Sequence, residues 1–239
     1  MTHTGDASPP TAQPCESGLV RALFAIPVQA MELRDRGLPA WLLPEERDSI
    51  AGAVPSRIEE FAAGRRCARD AMRAFGLDTP GPLRRGPHRE PLWPAGLVGS
   101  ITHTEGFCAA VVASARACAG LGIDAERCGR LGPGLWPLLF DATEQAALRA
   151  LSPPDQDRLA TVLFAAKEAL FKSQFALSAA VPEFTDVCLR LAAPLADSGS
   201  LELVAVRDAR LEPWAGRSRF RYALQGPFAL AGALIVSPA

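Results

Sequence analysis

A chain of 239 residues, 49% apolar and 21% charged, is long enough for one large domain or two small ones, and its composition excludes a disordered chain. Twenty-five basic residues face twenty-six acidic ones, and the formal net charge of -1 excludes a nucleic-acid binder working through a global positive field. Only two of the basic residues are lysines, Lys167 and Lys172; the rest are arginines.

Residues 1–18 are polar and rich in Pro, Thr and Ser, which predicts a loose tail. They lack the basic and apolar regions of a secretory signal. Leu19 to Val28 is apolar enough for a first strand. Pro44, Glu45 and Glu46 suit the first turn of a helix. A longer helix opens near Ser56, with Ile58, Phe61, Ala62, Ala68, Ala71, Met72 and Phe75 as its apolar positions, and Gly76 ends it. Thr79 to Gly99 is dense in Pro and Arg, which predicts a loop.

Phe107–Ala113 and Ala119–Ile123 read as strands. Asp141 caps a helix, with Glu144 at the capping-box position. Asp157 to about Ala176 predicts the longest helix. Val187–Leu191, Leu201–Val206, Phe220–Leu224 and Phe228–Val236 read as antiparallel strands. The apolar run Ala229–Val236 is too short to cross a bilayer, so no membrane association is expected. Strands and helices alternate once in each half. The pattern predicts an α+β protein built from a pair of similar α/β subdomains with antiparallel sheets, 19–115 and 116–239. The six cysteines form no C-x-x-C pair. They read as free thiols in a reducing cytoplasm rather than a zinc site.

Asp124 and Glu126 follow the apolar run Leu121–Ile123, so they sit at a strand end and point to one face. Two hard carboxylates there suit Mg²⁺; two solvated loop acids are the plainer alternative. In the segment LFAAKEALFKS, Glu168 lies on the stripe of Phe164, Phe171 and Phe175. A carboxylate on an aromatic stripe needs a partner, and Lys172 is one turn away. An ordinary surface Glu–Lys pair is the alternative. Lys167 lies beside another stripe, with Leu163 and Leu170, where it can snorkel.

Arg65 falls inside the apolar stripe of its helix, whereas Arg66, Arg69 and Arg73 lie round the other side and Arg57 precedes the stripe. An inward Arg pairs with a carboxylate or with a ligand phosphate. Arg84, Arg85, His88 and Arg89 share a loop that is either a solvated basic segment or a polyanion clamp. Thr102 and His103, in GSITHTEGF, suit contact with phosphate. No phosphate-binding Walker loop, dinucleotide fingerprint or Ser-His-Asp order is present.

Three segments in this order, EPLWPAGLVGSITHTEGFCAAVV, GLGIDAE and LFAAKEALFK, resemble the 4'-phosphopantetheinyl transferases. The resemblance is to their larger, monomeric class serving siderophore, polyketide and nonribosomal peptide assembly. RIEEFAAGRRCARDAMRAFG is similar to that class's N-terminal helix, and the Trp-Pro pair before the histidine motif is similar to the enterobactin-type branch. The resemblance implies the 4'-phosphopantetheinyl transferase fold, a pseudo-twofold pair of subdomains. It also implies transfer of the phosphopantetheine arm of coenzyme A to a serine of an acyl or peptidyl carrier protein, releasing 3',5'-ADP.

Carried over, the resemblance makes Asp124, Glu126 and Glu168 the ligands of Mg²⁺, with Mn²⁺ an alternative. Glu168 becomes the general base and Lys172 the pyrophosphate contact. Thr102 and His103 become phosphate contacts, and Arg57, Arg65, Arg85 and His88 hold the 3'-phosphate and adenine end. Thr102 stands for the commoner Ser and Phe164 for the commoner Trp. Ala125, between the acids, cannot ligate a metal. Two rival readings are a metal-dependent phosphodiesterase or nuclease and an inactive carrier-protein or coenzyme A binding module. Nuclease sites usually place Lys two residues after the acid on a strand; here the gap is four, on a helix.

Overall fold

The computed structural model describes residues 12–238. The chain opens with β1 (Cys15–Glu16), α1 (Gly18–Arg21) and β2 (Gln29–Leu33), then α2 (Pro44–Asp48) and the long α3 (Pro55–Phe75). Next come β3 (Leu97–Thr104) and β4 (Phe107–Ser114). These strands form an antiparallel sheet of order β1-β2-β4-β3. The second part holds β5 (Gly120–Arg127), α4 (Trp136–Leu139), α5 (Ala142–Arg149) and α6 (Pro153–Ser178). It continues through β6 (Val187–Leu191), β7 (Ser198–Val206), α7 (Glu212–Ala215), β8 (Ser218–Gln225) and β9 (Phe228–Ile235). Its sheet runs β5-β9-β8-β7-β6, also antiparallel, so the class is α+β.

Side-chain alternation explains the layering. On β4, Phe107, Ala109, Val111 and Ala113 face a core shared with Leu121, Ile123 and Ala125 of β5, Leu230 of β9 and Val20 of α1. The alternate β4 residues, Cys108 and Ala110, pack under Ala63, Cys67 and Ala68 of α3. On β9, Ala229, Ala231 and Ala233 pack under α6. The two sheets therefore share an inner core, and each carries one long helix on its outer face. Gly76 closes α3 with φ of 112°, a left-handed cap that glycine adopts without strain.

Several expectations need correction. Leu19–Val28 is not a strand. Ser17 caps α1 by accepting from Val20 N–H, and Val20, Leu23 and Phe24 enter the core from a helical turn. A short apolar run does not distinguish the two states. The tail expected for 1–18 lies outside the described residues up to 11. Beyond that, Cys15 and Glu16 pair with Glu32 and Met31 instead of hanging loose. The predicted loop ends early, because β3 begins at Leu97. β5 runs on to Arg127, beyond the predicted end at Ile123, and Asp124 and Glu126 lie in its C-terminal half. All six cysteines are free, four of them buried. Among the described residues no helix is long and apolar enough to cross a membrane.

Candidate active site

The site lies where the two sheets meet edge to edge. β3 is the outer strand of one sheet and β5 of the other. No backbone ladder joins them. Instead the Ser100 hydroxyl accepts from Ile123 N–H at 3.0 Å, and the Thr102 hydroxyl accepts from Ala125 N–H at 3.0 Å. Each hydroxyl satisfies a buried backbone donor that would otherwise be orphaned. Across β5, α6 comes unusually close. A Cβ on Gly120 would sit 2.1 Å from Ser173 O, and one on Gly122 would sit 1.9 Å from Ala169 O. Only glycine permits this approach, and it brings Glu168 and Lys172 over Asp124.

α3 and α6 thus flank a cleft of about 920 Å³ above the β3–β5 seam. The ten residues to which the family resemblance gives a role all line it. Arg57 and Arg65 come from α3, Arg85 and His88 from the following loop, and Thr102 and His103 from β3. Asp124 and Glu126 come from β5, and Glu168 and Lys172 from α6. The aromatic stripe Phe164, Phe171 and Phe175 also faces the cleft, and His88 meets Phe175 edge-on at 5.4 Å.

The basic end is held by backbone and aromatic contacts. Arg65 Nε donates to Leu83 O at 2.8 Å, and its guanidinium lies 4.2 Å from the Phe61 ring centroid. Burial lowers its pKa to about 10, so it stays cationic at neutral pH. Among the described residues its side chain has no carboxylate within ion-pair distance. Arg85 donates to Ser49 O at 2.9 Å. Arg57 Nη1 lies 2.6 Å from His103 Nε2 and 3.0 Å from Glu60. Partial desolvation in the cleft, with the Arg57 charge adding to it against Glu60, holds His103 below the ordinary imidazole range. A neutral ring accepts from Arg57 at Nε2.

The acidic end is different. Lys172 Nζ donates to Asp124 Oδ1 at 2.6 Å and to Ile123 O at 3.2 Å, and Thr102 Oγ1 donates to the same Oδ1 at 3.1 Å. Asp124 Oδ2 is buried with no hydrogen-bond partner among the described residues. Burial and the Asp124 charge push Glu126 up to about 7. Glu168 is raised by burial, with Lys172 opposing and Asp124 adding. Among the described residues, no three His, Cys, Asp or Glu side chains converge into a ready-made metal cage. Yet the orphaned Oδ2 and an all-oxygen set of mutually repelling carboxylates fit a hard divalent cation such as Mg²⁺.

Two side chains depart from expectation. Lys167 does not snorkel: it is fully buried. It donates to Glu144 Oε2 at 2.7 Å, Leu139 O at 2.8 Å and Phe184 O at 2.9 Å. Glu144 also accepts from Leu189 N–H at 2.9 Å, so the pair ties α5, α6 and β6 together. Arg69 does not lie on a solvated side. It is buried against Glu46, which also accepts from Leu83 N–H. Both acids sit at the third helical position and accept from the N-cap backbone N–H, a signal that reports the helix start and not its burial.

Two family models match the chain: 4'-phosphopantetheinyl transferase N-terminal domain over residues 45–113, and 4'-phosphopantetheinyl transferase superfamily over 120–216. Among curated proteins, 4'-phosphopantetheinyl transferase Svp of Streptomyces mobaraensis is 44% identical over 149 residues, 61% of this chain and 59% of that one. 4'-phosphopantetheinyl transferase Npt of Nocardia iowensis is 33% identical over 162 residues, 67% and 71%. Enterobactin synthase component D of Salmonella typhimurium is 34% identical over 154 residues, 63% and 61%. The match to Svp and to component D spans about three-fifths of their lengths. The identity to Svp exceeds that to the enterobactin-type relative.

Proposed function

This chain belongs to the 4'-phosphopantetheinyl transferase superfamily, and from that premise we propose that it transfers the phosphopantetheine arm of coenzyme A to a serine hydroxyl of an acyl or peptidyl carrier protein, with Mg²⁺, releasing 3',5'-ADP. The observation that carries the reading is the convergence of basic and acidic side chains from both halves of the chain on one cleft. A cationic end beside a carboxylate-lined end is what a pyrophosphate-containing nucleotide and a divalent cation require.

In this reading Arg57, Arg65, Arg85 and His88 hold the 3'-phosphate and adenine end. The fork of each guanidinium suits phosphate oxygens. His103, fixed by Arg57, faces the phosphates beside them. Asp124, Glu126 and Glu168 would hold Mg²⁺, which when bound neutralises charge on the pyrophosphate. The serine oxygen forms a bond to the phosphorus that carries the arm, and the bond from that phosphorus to the bridging oxygen breaks. Glu168, a carboxylate made more basic by burial, accepts the serine proton directly or through water. Lys172 compensates the negative charge gathering on the departing 3',5'-ADP. The protein mainly positions the groups and neutralises charge.

The test is incubation with coenzyme A, Mg²⁺ and apo carrier proteins of fatty-acid, peptide and polyketide type, read by intact-protein mass. One arm per carrier, abolished by chelation, is expected. No mass gain on any carrier overturns the reading.

A further inference from the structure

We propose that Thr102 is a positioning residue that presents Asp124 to the cation, and not a ligand of the coenzyme A phosphates; the proposal rests on the coenzyme A reading of the cleft. A hydroxyl has one proton and two lone pairs. The Thr102 proton goes to Asp124 Oδ1 at 3.1 Å, and one lone pair accepts Ala125 N–H at 3.0 Å. A phosphate oxygen needs a donor, and this hydroxyl has none left to give. Thr102 is also buried, with 3% of its surface exposed.

The consequence falls on Asp124. Thr102 and Lys172 both donate to Oδ1. That pins the carboxylate in one orientation and leaves Oδ2 buried and unpartnered. A buried carboxylate oxygen with no donor is rare and calls for an explanation, such as an ion it is built to meet. Ser100 makes the same kind of bond to Ile123 N–H two residues earlier. Hydroxyls on β3 therefore replace a backbone ladder and set the register of β5 against it. Adjacent residues divide the labour. Thr102 reaches across the seam to the carboxylate end, and His103, on the opposite face of β3, meets Arg57 at the basic end.

The experiment compares Thr102→Val, Thr102→Ala and Thr102→Ser with the wild-type protein, each checked by thermal melting. Val keeps the volume and removes the hydroxyl; Ala carries the same expectation should the Val variant fail to fold. Mn²⁺ binding is read by electron paramagnetic resonance without coenzyme A. Coenzyme A affinity is read by calorimetry in chelator. Loss of an outer-shell partner should weaken Mn²⁺ binding about tenfold or more in the Val and Ala variants. Ser should restore it, and metal-free coenzyme A affinity should match wild type in all three. Weakened metal-free coenzyme A binding with unchanged Mn²⁺ binding overturns the proposal, as does no change in either. Failure of wild-type protein to bind coenzyme A strikes the reading of the cleft instead, and the Mn²⁺ comparison still decides the role of Thr102.

Discussion

Replacing Gly122 with alanine should disable the site without touching any residue that faces substrate. The added Cβ would lie 1.9 Å from Ala169 O and 2.9 Å from Ser173 N, whereas ordinary contact begins at 3.4 Å, so α6 must retreat by about 1.5 Å. β5 has little room to yield, because Leu121 and Ile123 are locked in the shared core. Ala169 and Ser173 are the chain neighbours of Glu168 and Lys172, so the retreat moves both away from Asp124. A misplacement of roughly 1 Å can cost on the order of 100-fold in rate, while overpacking costs about 1–3 kcal/mol of stability. The assay is the initial rate of holo-carrier formation at saturating coenzyme A, with circular dichroism to confirm the fold. Metal-free coenzyme A affinity should fall far less than the rate, because Arg57, Arg65 and Arg85 do not ride on α6 and only the Lys172 contact is displaced. A folded variant with a wild-type rate refutes the reasoning.

Other expectations follow from the same geometry. Lys167→Met strands the buried Glu144 carboxylate and should cost about 3–5 kcal/mol in urea unfolding, with Glu144→Gln in the same chain recovering most of it; a loss that persists in the double variant would contradict the pairing. Arg57→Ala and Arg65→Ala should weaken coenzyme A binding more than dephospho-coenzyme A binding by calorimetry, and equal losses would remove the 3'-phosphate role. His103 is held below its unfolded value of about 6.5. The unfolded chain therefore binds the proton first as pH falls, and stability should decline below that value. His103→Asn should flatten the decline in melting temperature between neutral and mildly acidic pH, and an unchanged slope would assign it to another group.

Much of the site was legible because its chemistry conflicts with its local pattern. Glu168 on a phenylalanine stripe and Arg65 on an apolar helix face both contradict simple amphipathicity, and both line the cleft. The long helices were legible from period and caps, and the last four strands from apolar runs broken by turns. The rest depends on contacts between distant segments. Nothing near Ser100 announces that its hydroxyl stands in for a strand ladder, because the partner N–H belongs to residue 123. Lys167 looked amphipathic because its carboxylate, Glu144, lies 23 residues away and doubles as a cap. Leu19–Val28 misled because the helical turn there is decided by the Ser17 cap and the core it enters.

The most direct test of the account is the product balance. Wild-type protein with coenzyme A, Mg²⁺ and apo carrier should yield one 3',5'-ADP for each holo-carrier formed. Glu168→Gln should yield neither while keeping its fold. Nucleotide released without a matching gain in carrier mass would mean hydrolysis instead of transfer, and would contradict the account.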